Sequence, residues 1–314
     1  MAMIKAEGVS IRYKLGDFKD IGFKEYIVRK LSGNYQVKEF WADKDVSFEL
    51  ERGDMLGIIG TNGAGKSTLL KAISGIMVPT EGHIQVNGSI AALLELASGF
   101  DGDLTVRENT YLRGALLGYT RRFMDEMYDQ IIAFAELQDF QERPFKQLSS
   151  GMKSRLDFSI ACLVNPDVLI LDEVLSVGDG AFRKKSGDKM KEILASGVTG
   201  LLVSHSVGQV RELCNKVLWL DHGRQIVFSD KTSEICDAYE EFLITRQLPK
   251  NEEDIHKLAG DLRTRREKER QEKQRTEAER LQAVLEQGTS EAAIEAAVRV
   301  LRKKHPEMLK ENVS

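Results

Sequence analysis

From the first residue to about residue 240, short apolar runs alternate with glycine-containing turns and amphipathic stretches, the pattern of an α/β domain. Ile4, Val9 and Ile11 predict a first strand, and Val46, Phe48 and Leu50 alternate as a second. Between them, over residues 14–40, Phe18, Ile21, Phe23, Tyr26, Ile27 and Leu31 recur at roughly helical spacing among charged residues. This insertion predicts a short amphipathic helix closed by Ser32, Gly33 and Asn34. Such a helix packs on its own domain or meets a partner, and the pattern fits both. Apolar runs of strand length at 55–59, 168–171 and 201–203 each end at residues with candidate chemistry.

The texture changes from about Pro249. Residues 261–280 are almost wholly charged or amide, with Leu262 the only large apolar side chain. A helix there lacks a face to bury, so it is solvent-bridging, frayed or ordered by another molecule. Gly288 ends it, and Ser290 is a candidate N-cap for a last helix. Ala293, Ile294, Ala297, Val298 and Leu301 stripe that helix, and Pro306 stops it. The expected organisation is one domain over residues 1–245 and a charged helical extension over 246–314. The extension is too short and too poor in strand signals for a β-sandwich ligand-binding domain.

Composition narrows the class. The chain has 314 residues, 42% of them hydrophobic, with only five prolines, enough to build a core and to exclude wholesale disorder. Lys+Arg total 45 against Asp+Glu 49, a net charge of -4, so no global field favours nucleic acid or an anionic membrane. No apolar run approaches the ~18–20 residues that span a bilayer, which leaves a membrane role to a partner. The first ten residues lack a cationic stretch followed by an apolar one, an expectation against secretion. Cys162, Cys214 and Cys236 are too widely spaced for a disulfide framework or a zinc site; reduced, buried thiols are expected.

The strand at 55–59 runs into Gly60-Thr61-Asn62-Gly63-Ala64-Gly65-Lys66-Ser67, and then into Thr68 and a helical pattern through Ile73. Strand, Gly-x-x-x-x-Gly-Lys-Ser, helix is the P-loop in the context it requires. Gly60, Gly63 and Gly65 let the backbone curl so that successive N–H groups point inward at phosphate oxygens. The helix that begins near Lys66 adds its N-terminal donors. Lys66 places a cation at the β- and γ-phosphates, and the Ser67 hydroxyl is a candidate Mg²⁺ ligand. A second strand, 168–171, ends in Asp172 and Glu173. Asp172 is the second candidate Mg²⁺ ligand, acting through water because this ion keeps part of its hydration shell. Glu173 stands one residue on, placed to polarise an attacking water as base or as positioner. Buried acids at a strand end are expensive to keep without a use. Together these motifs predict hydrolysis of a nucleoside triphosphate with Mg²⁺.

Between the two lies Leu148-Ser149-Ser150-Gly151-Met152, followed by a helical stretch. This resembles the signature motif of ATP-binding cassette (ABC) ATPases, a P-loop fold with a mixed sheet core and a helical subdomain, here about residues 95–165. The resemblance runs over residues 3–243. A helix N-terminus containing glycine makes a second anion site. In the family it faces the γ-phosphate held by the other cassette, so two ATPs are sandwiched in a head-to-tail homodimer. Ser176-Val-Gly-Asp179 stands where the family has its D-loop at the dimer seam, and His205 stands where it has the switch histidine that reaches the γ-phosphate. The family's Gln that touches Mg²⁺ and couples to membrane subunits has no match here; Glu95 is the nearest polar candidate. Tyr13 holds the place of the base-stacking aromatic, with Phe40 and Trp41 as rivals, since stacking needs only a π-face.

Four segments narrow the family further: Leu-Leu-Glu-Leu-Ala-Ser-Gly-Phe100, Leu-Thr-Val-Arg-Glu-Asn109, Ser-Ser-Gly-Met152 and Asp-Glu-Val-Leu-Ser-Val-Gly-Asp179. They resemble cassettes that export lipid-linked polysaccharides: wall teichoic acid, O-antigen, capsule and rhamnan. The insertion resembles the teichoic acid branch, where an N-terminal helix lies near the membrane partner. The resemblance implies two cassettes on two copies of a separate integral membrane permease, at the cytoplasmic face of the inner membrane. ATP binding closes the sandwich, hydrolysis reopens it, and the cargo is an undecaprenyl-phosphate-linked glycan. The alternatives are an ABC subunit for another cargo, or a soluble ABC protein acting on ribosomes or DNA. Acids nearly offset bases over 261–280, so no nucleic-acid partner is expected.

Overall fold

Strands β1 (Ala2–Leu15) and β2 (Lys38–Glu51) pair antiparallel from Ala2↔Glu51 to Leu15↔Lys38. The ladder therefore reaches into both ends of the stretch expected to be an insertion. In this computed structural model the described residues are 2–15, 38–93, 99–164, 166–172, 180–204 and 206–287. The helix expected at residues 18–31 and the last helix expected at 293–301 lie outside the described residues. The chain divides into two compact units, Met1–Cys236 and Asp237–Ser314.

Among the described residues of the first unit a nine-stranded sheet runs in the order β4-β1-β2-β9-β8-β3-β7-β6-β5. Its central strands are β3 (Met55–Ile59), β6 (Val168–Asp172), β7 (Thr199–Val203) and β8 (Lys216–Asp221), with β5 (Ile90–Leu93) at one edge. Neighbouring members of this group pair parallel. Both β3 and β7 are buried at every position, which is why they read as unbroken apolar runs rather than alternating ones. Strand β9 (Arg224–Ser229) returns antiparallel to β8 and touches β2 through Lys44↔Arg224. It thereby joins the parallel group to the antiparallel β2-β1-β4, with β4 at Glu81–Val86. Helix α1 (Lys66–Ile73) lays Leu69, Leu70 and Ile73 into a core with Leu56, Ile58, Ile170, Leu201 and Val203. Burying each such side chain contributes roughly 1.5–3 kcal/mol.

A second core belongs to a helical layer of α2 (Val106–Leu116), α3 (Arg121–Ala135) and α4 (Ser150–Leu163). Val106, Tyr128, Ile131, Phe145, Leu156 and Ile160 pack there. The start of α2 explains one of the resembling segments: Thr105 accepts from the Glu108 N–H, and Glu108 reaches back to the Thr105 N–H at 2.8 Å. This is a capping box. Asn109, fully buried, donates to the carbonyls of Asp101, Leu104 and Thr105. Helices α5 (Gly180–Ala195) and α6 (Val207–Leu213) complete the unit, and α7 (Thr232–Thr245) crosses into the second.

The second unit continues into α8 (Glu252–Gln287). Its first turns, ahead of most of the charged stretch, do bury a face. Ile255, Leu258, Ala259 and Leu262, spaced on one helical face, are buried. Arg263 pairs with Asp237 at 2.9 Å, Arg265 with Glu241 at 2.7 Å, and Arg266 with Asp237 and Glu240. From Glu267 through Thr276 every side chain is exposed, as a stripe without apolar positions requires.

Candidate active site

The loop after β3 is wedged between two other segments. A side chain at Gly60, whose φ is 154°, would strike the Leu220 carbonyl at the end of β8. A side chain at Gly65, at φ 105°, would strike the Asp43 carboxylate and lie 2.7 Å from the Ala42 carbonyl oxygen on β2. Glycine is therefore required at both places by geometry as well as by the chemistry expected of the loop. A brace closes the wedge: Lys44 N–H donates to the Gly223 carbonyl at 2.7 Å, and Gly223 N–H donates to the Ala64 carbonyl at 3.0 Å. His222 and Gly223 both have positive φ, at 46° and 75°, the pattern of a tight two-residue hairpin turn between β8 and β9. Sequence reasoning missed this brace, although His-Gly between two apolar runs is a turn signal.

Helix α1 starts at Lys66 with Gly65 as N-cap, no side-chain cap and no acidic residue in its first turn. Its leading N–H groups are left for an anion. Lys66 is buried, and its Nζ donates to the carbonyls of Gly60 at 2.7 Å and Thr61 at 3.0 Å, folding the cation over the loop. Ala64 is buried, Asn62 and Gly63 are exposed, Ser67 is exposed, and Thr61 and Thr68 are half-buried. Asp172 ends β6, its backbone opposite Val203 of β7, which flanks β3 in turn. The sheet thus brings the Asp172 position and the loop after β3 to the same C-terminal edge of parallel strands, the usual place for a ligand. At the end of β7 the Ser204 hydroxyl donates to Gln209 Oε1 at 2.7 Å and accepts from the Ser206 N–H at 3.0 Å. Glu95, Glu173, Ser176, Asp179 and His205 lie outside the described residues.

The signature candidate forms the start of α4. Ser149 is the N-cap and accepts from the Met152 N–H at 3.3 Å, while Leu148 is buried and anchors the turn. Ser149 and Ser150 are exposed, and a side chain at Gly151 would meet open space. Nothing among the described residues demands glycine there. Among the aromatic candidates, Tyr13 and Phe40 are direct cross-strand partners and share a face. Both are partly exposed, and the Tyr13 hydroxyl reaches Met77 Sδ at 3.6 Å. Trp41 pairs with Arg12, whose guanidinium lies 5.2 Å from its ring centroid. A separate cleft of about 450 Å³ in the helical layer is lined by Arg107, Tyr111, Leu112, Tyr119, Arg121 and Met124.

Asp43 was not expected at the site. It is fully buried, and among the described residues neither carboxylate oxygen has a hydrogen-bond partner. Burial pushes its carboxyl up to about 7 from an ordinary 3.8. A carboxyl with a raised folded-state pKa favours the folded state fully below about pH 4, and that contribution is lost as pH rises through about 7. We expect Asp43→Asn to leave stability near pH 4 almost unchanged and to raise it at pH 8 by about 2–4 kcal/mol. Thermal melts across this range check it: the parent loses about 5–10 °C towards pH 8 relative to the variant. Equal pH dependence in both would mean that Asp43 is not buried as an acid.

A mixed sheet with a P-loop after its central strand and a helical layer that presents Ser-Ser-Gly defines a class: this chain belongs to the ABC transporter family of ATP-binding proteins. The ABC transporter family model matches residues 44–176. The chain is 42% identical over 240 residues to the teichoic acids export ATP-binding protein of Bacillus anthracis, covering 76% of this chain and 43% of that protein. It is 43% identical over 224 residues to the O-antigen export system ATP-binding protein of Myxococcus xanthus, covering 70% and 51%. The chain thus spans about half the length, or less, of these two relatives. Among solved structures, a dimeric ATP-binding cassette in a post-hydrolysis state with ADP and Pi superposes with a TM-score of 0.56 at 21% identity, over 72% of this chain and 98% of that one. That likeness concerns the fold.

Proposed function

We propose that this chain is the ATP-hydrolysing subunit of an exporter that moves a lipid-linked polysaccharide across the bacterial inner membrane. The observation behind the reading is a built phosphate cradle, Gly60 to Thr68 on an uncapped α1, in a chain more than 40% identical to teichoic acid and O-antigen export ATP-binding proteins. The backbone N–H groups of the loop and α1 bind the phosphates, and Lys66 leaves its two carbonyls to meet the β- and γ-oxygens. A serine hydroxyl at position 67 and an aspartate carboxylate at position 172 are hard oxygen donors, a set that suits Mg²⁺ completed by water. When bound, Mg²⁺ supplies neutralisation of the charge that develops on the phosphates. Glu173 orients the attacking water and draws on its proton, and His205 hydrogen-bonds the γ-phosphate. Tyr13, with Phe40 beside it, stacks on the adenine. Ser149, Ser150 and Gly151 close on the nucleotide of a second copy, which gives the open space at Gly151 a use. Ser176 and Asp179 line the seam.

In the proposed complex a separate integral membrane permease, in two copies, carries the translocation; no helix among the described residues of this chain is long and apolar enough to cross a membrane. The cleft beside Tyr111 lies on the segment shared with exporter cassettes and is our candidate for its contact, with Glu95 nearby in sequence. The test is affinity purification of the detergent-solubilised protein from its native cell. A multi-span permease with undecaprenyl-linked glycan is the expected result. A permease without such a lipid would reassign the cargo, and ribosomes or nucleic acid without a membrane protein would overturn the exporter reading.

A further inference from the structure

The wall behind the phosphate cradle contains a carboxyl group that phosphate binding and hydrolysis leave unused. Asp43 faces inward with Ile11, its cross-strand partner in the core. Its carboxylate lies where a side chain on Gly65 would stand, directly behind the residue that caps α1. It is fully buried with both oxygens unpartnered among the described residues. An acid held this way faces a choice when polyphosphate fills the cradle on the other side of Gly65. Ionised, it repels the incoming anion through a medium of low dielectric; neutral, it does not.

We propose that Asp43 takes up a proton as the cradle fills, so that nucleotide binding by this chain is coupled to proton uptake. The proposal rests on the nucleotide-binding reading of the loop. Coupling is reciprocal: protonation of Asp43 strengthens phosphate binding by the same factor by which phosphate strengthens proton binding. Burial already brings this acid to about 7, so both forms are populated near neutral pH before any ligand arrives. The charged groups on the surrounding elements are engaged or turned to solvent. Lys66 on the loop donates to Gly60 and Thr61. Arg12 of β1 pairs with Glu39 at 2.9 Å, and His222 of the β8–β9 turn pairs with Asp221 at 2.8 Å. Lys44 and Asp45 beside it in β2, and Arg224 opposite, are exposed.

The test is calorimetric titration of the full chain with Mg·ADP at pH 7.5, in buffers of low and high ionisation enthalpy. The dependence of the apparent enthalpy on the buffer reads the number of protons taken up. If phosphate strengthens proton binding about tenfold, uptake is about half a proton, and affinity falls by up to about tenfold between pH 6 and 9. In Asp43→Asn both effects are lost and ADP binds more tightly than to the parent at pH 9; Asp43→Ser repeats the measurement should the amide not fold. Uptake that is equal in parent and variants, or absent in a parent that binds ADP, overturns the proposal. A parent that binds no ADP overturns instead the reading of the loop on which the proposal stands.

Discussion

A Glu173→Gln cassette binds ATP as tightly as the parent and hydrolyses it at least about a hundredfold more slowly, the lower end of what one positioned base contributes. In sequence the residue directly follows Asp172, the last residue of β6, a strand that ends at the sheet edge shared by the loop after β3. Glutamine keeps the size and the hydrogen-bonding reach of the side chain and removes its basicity, so binding stays and chemistry stops. Trapped ATP has a second consequence. With the signature of α4 exposed at Ser149 and Ser150 and open at Gly151, two ATP-loaded copies have a face on which to close, and they no longer reopen. Phosphate release and size-exclusion chromatography with Mg·ATP read both effects. The expected pair is very slow turnover with an accumulating dimer; turnover at the parent's rate would remove Glu173 from the chemistry.

What the sequence made legible follows from how local each signal is. The strand at 55–59 and the glycines after it are adjacent in the chain, and their spacing alone sets the cradle. The capping box at Thr105 and Glu108 is equally local and could have been read from Thr-x-x-Glu. Asp43 was illegible for a definite reason. Counting back by twos from the buried Phe48 and Val46 turns Lys44 and Ala42 inward and Asp43 outward. Ala42 is buried as counted, but Lys44 and Asp43 are reversed, because Asp45 adopts a φ of 56° and the register shifts between Val9, Ile11 and Arg12 of β1. An irregularity of this kind moves the following side chains to the opposite face, so Asp43 is buried while Lys44 and Asp45 are exposed. The brace through Gly223 and the arginine pairs of α8 share a different obstacle. Gly223 meets Ala64, and Arg263 meets Asp237, across separations that periodicity does not reach. The charge run over 261–280 does not reveal its ion-pair partners because they stand on another helix, at Asp237, Glu240 and Glu241.

Lys66→Ala is expected to weaken Mg·ATP binding by about a hundredfold or more, the scale of losing charge-assisted hydrogen bonds to phosphate, with the fold intact. Two features of the geometry separate those outcomes. The lysine reaches the loop's own carbonyls, Gly60 and Thr61, so it is already folded over the loop that the proposed function gives to the phosphates. Its backbone is the first residue of α1, a position where alanine is well tolerated, and the wedge that holds the loop does not depend on its side chain. Gly60 against Leu220, Gly65 against Asp43 and Gly223 against Ala64 keep the loop's curve. The N–H groups of the cradle therefore persist in the variant, and a residual weak affinity for phosphate is part of the expected result. Fluorescent-nucleotide titration beside a thermal melt measures the two together. Unchanged binding would contradict the P-loop reading, whereas a large fall in melting temperature would mean that Lys66 holds the loop closed rather than waiting for phosphate.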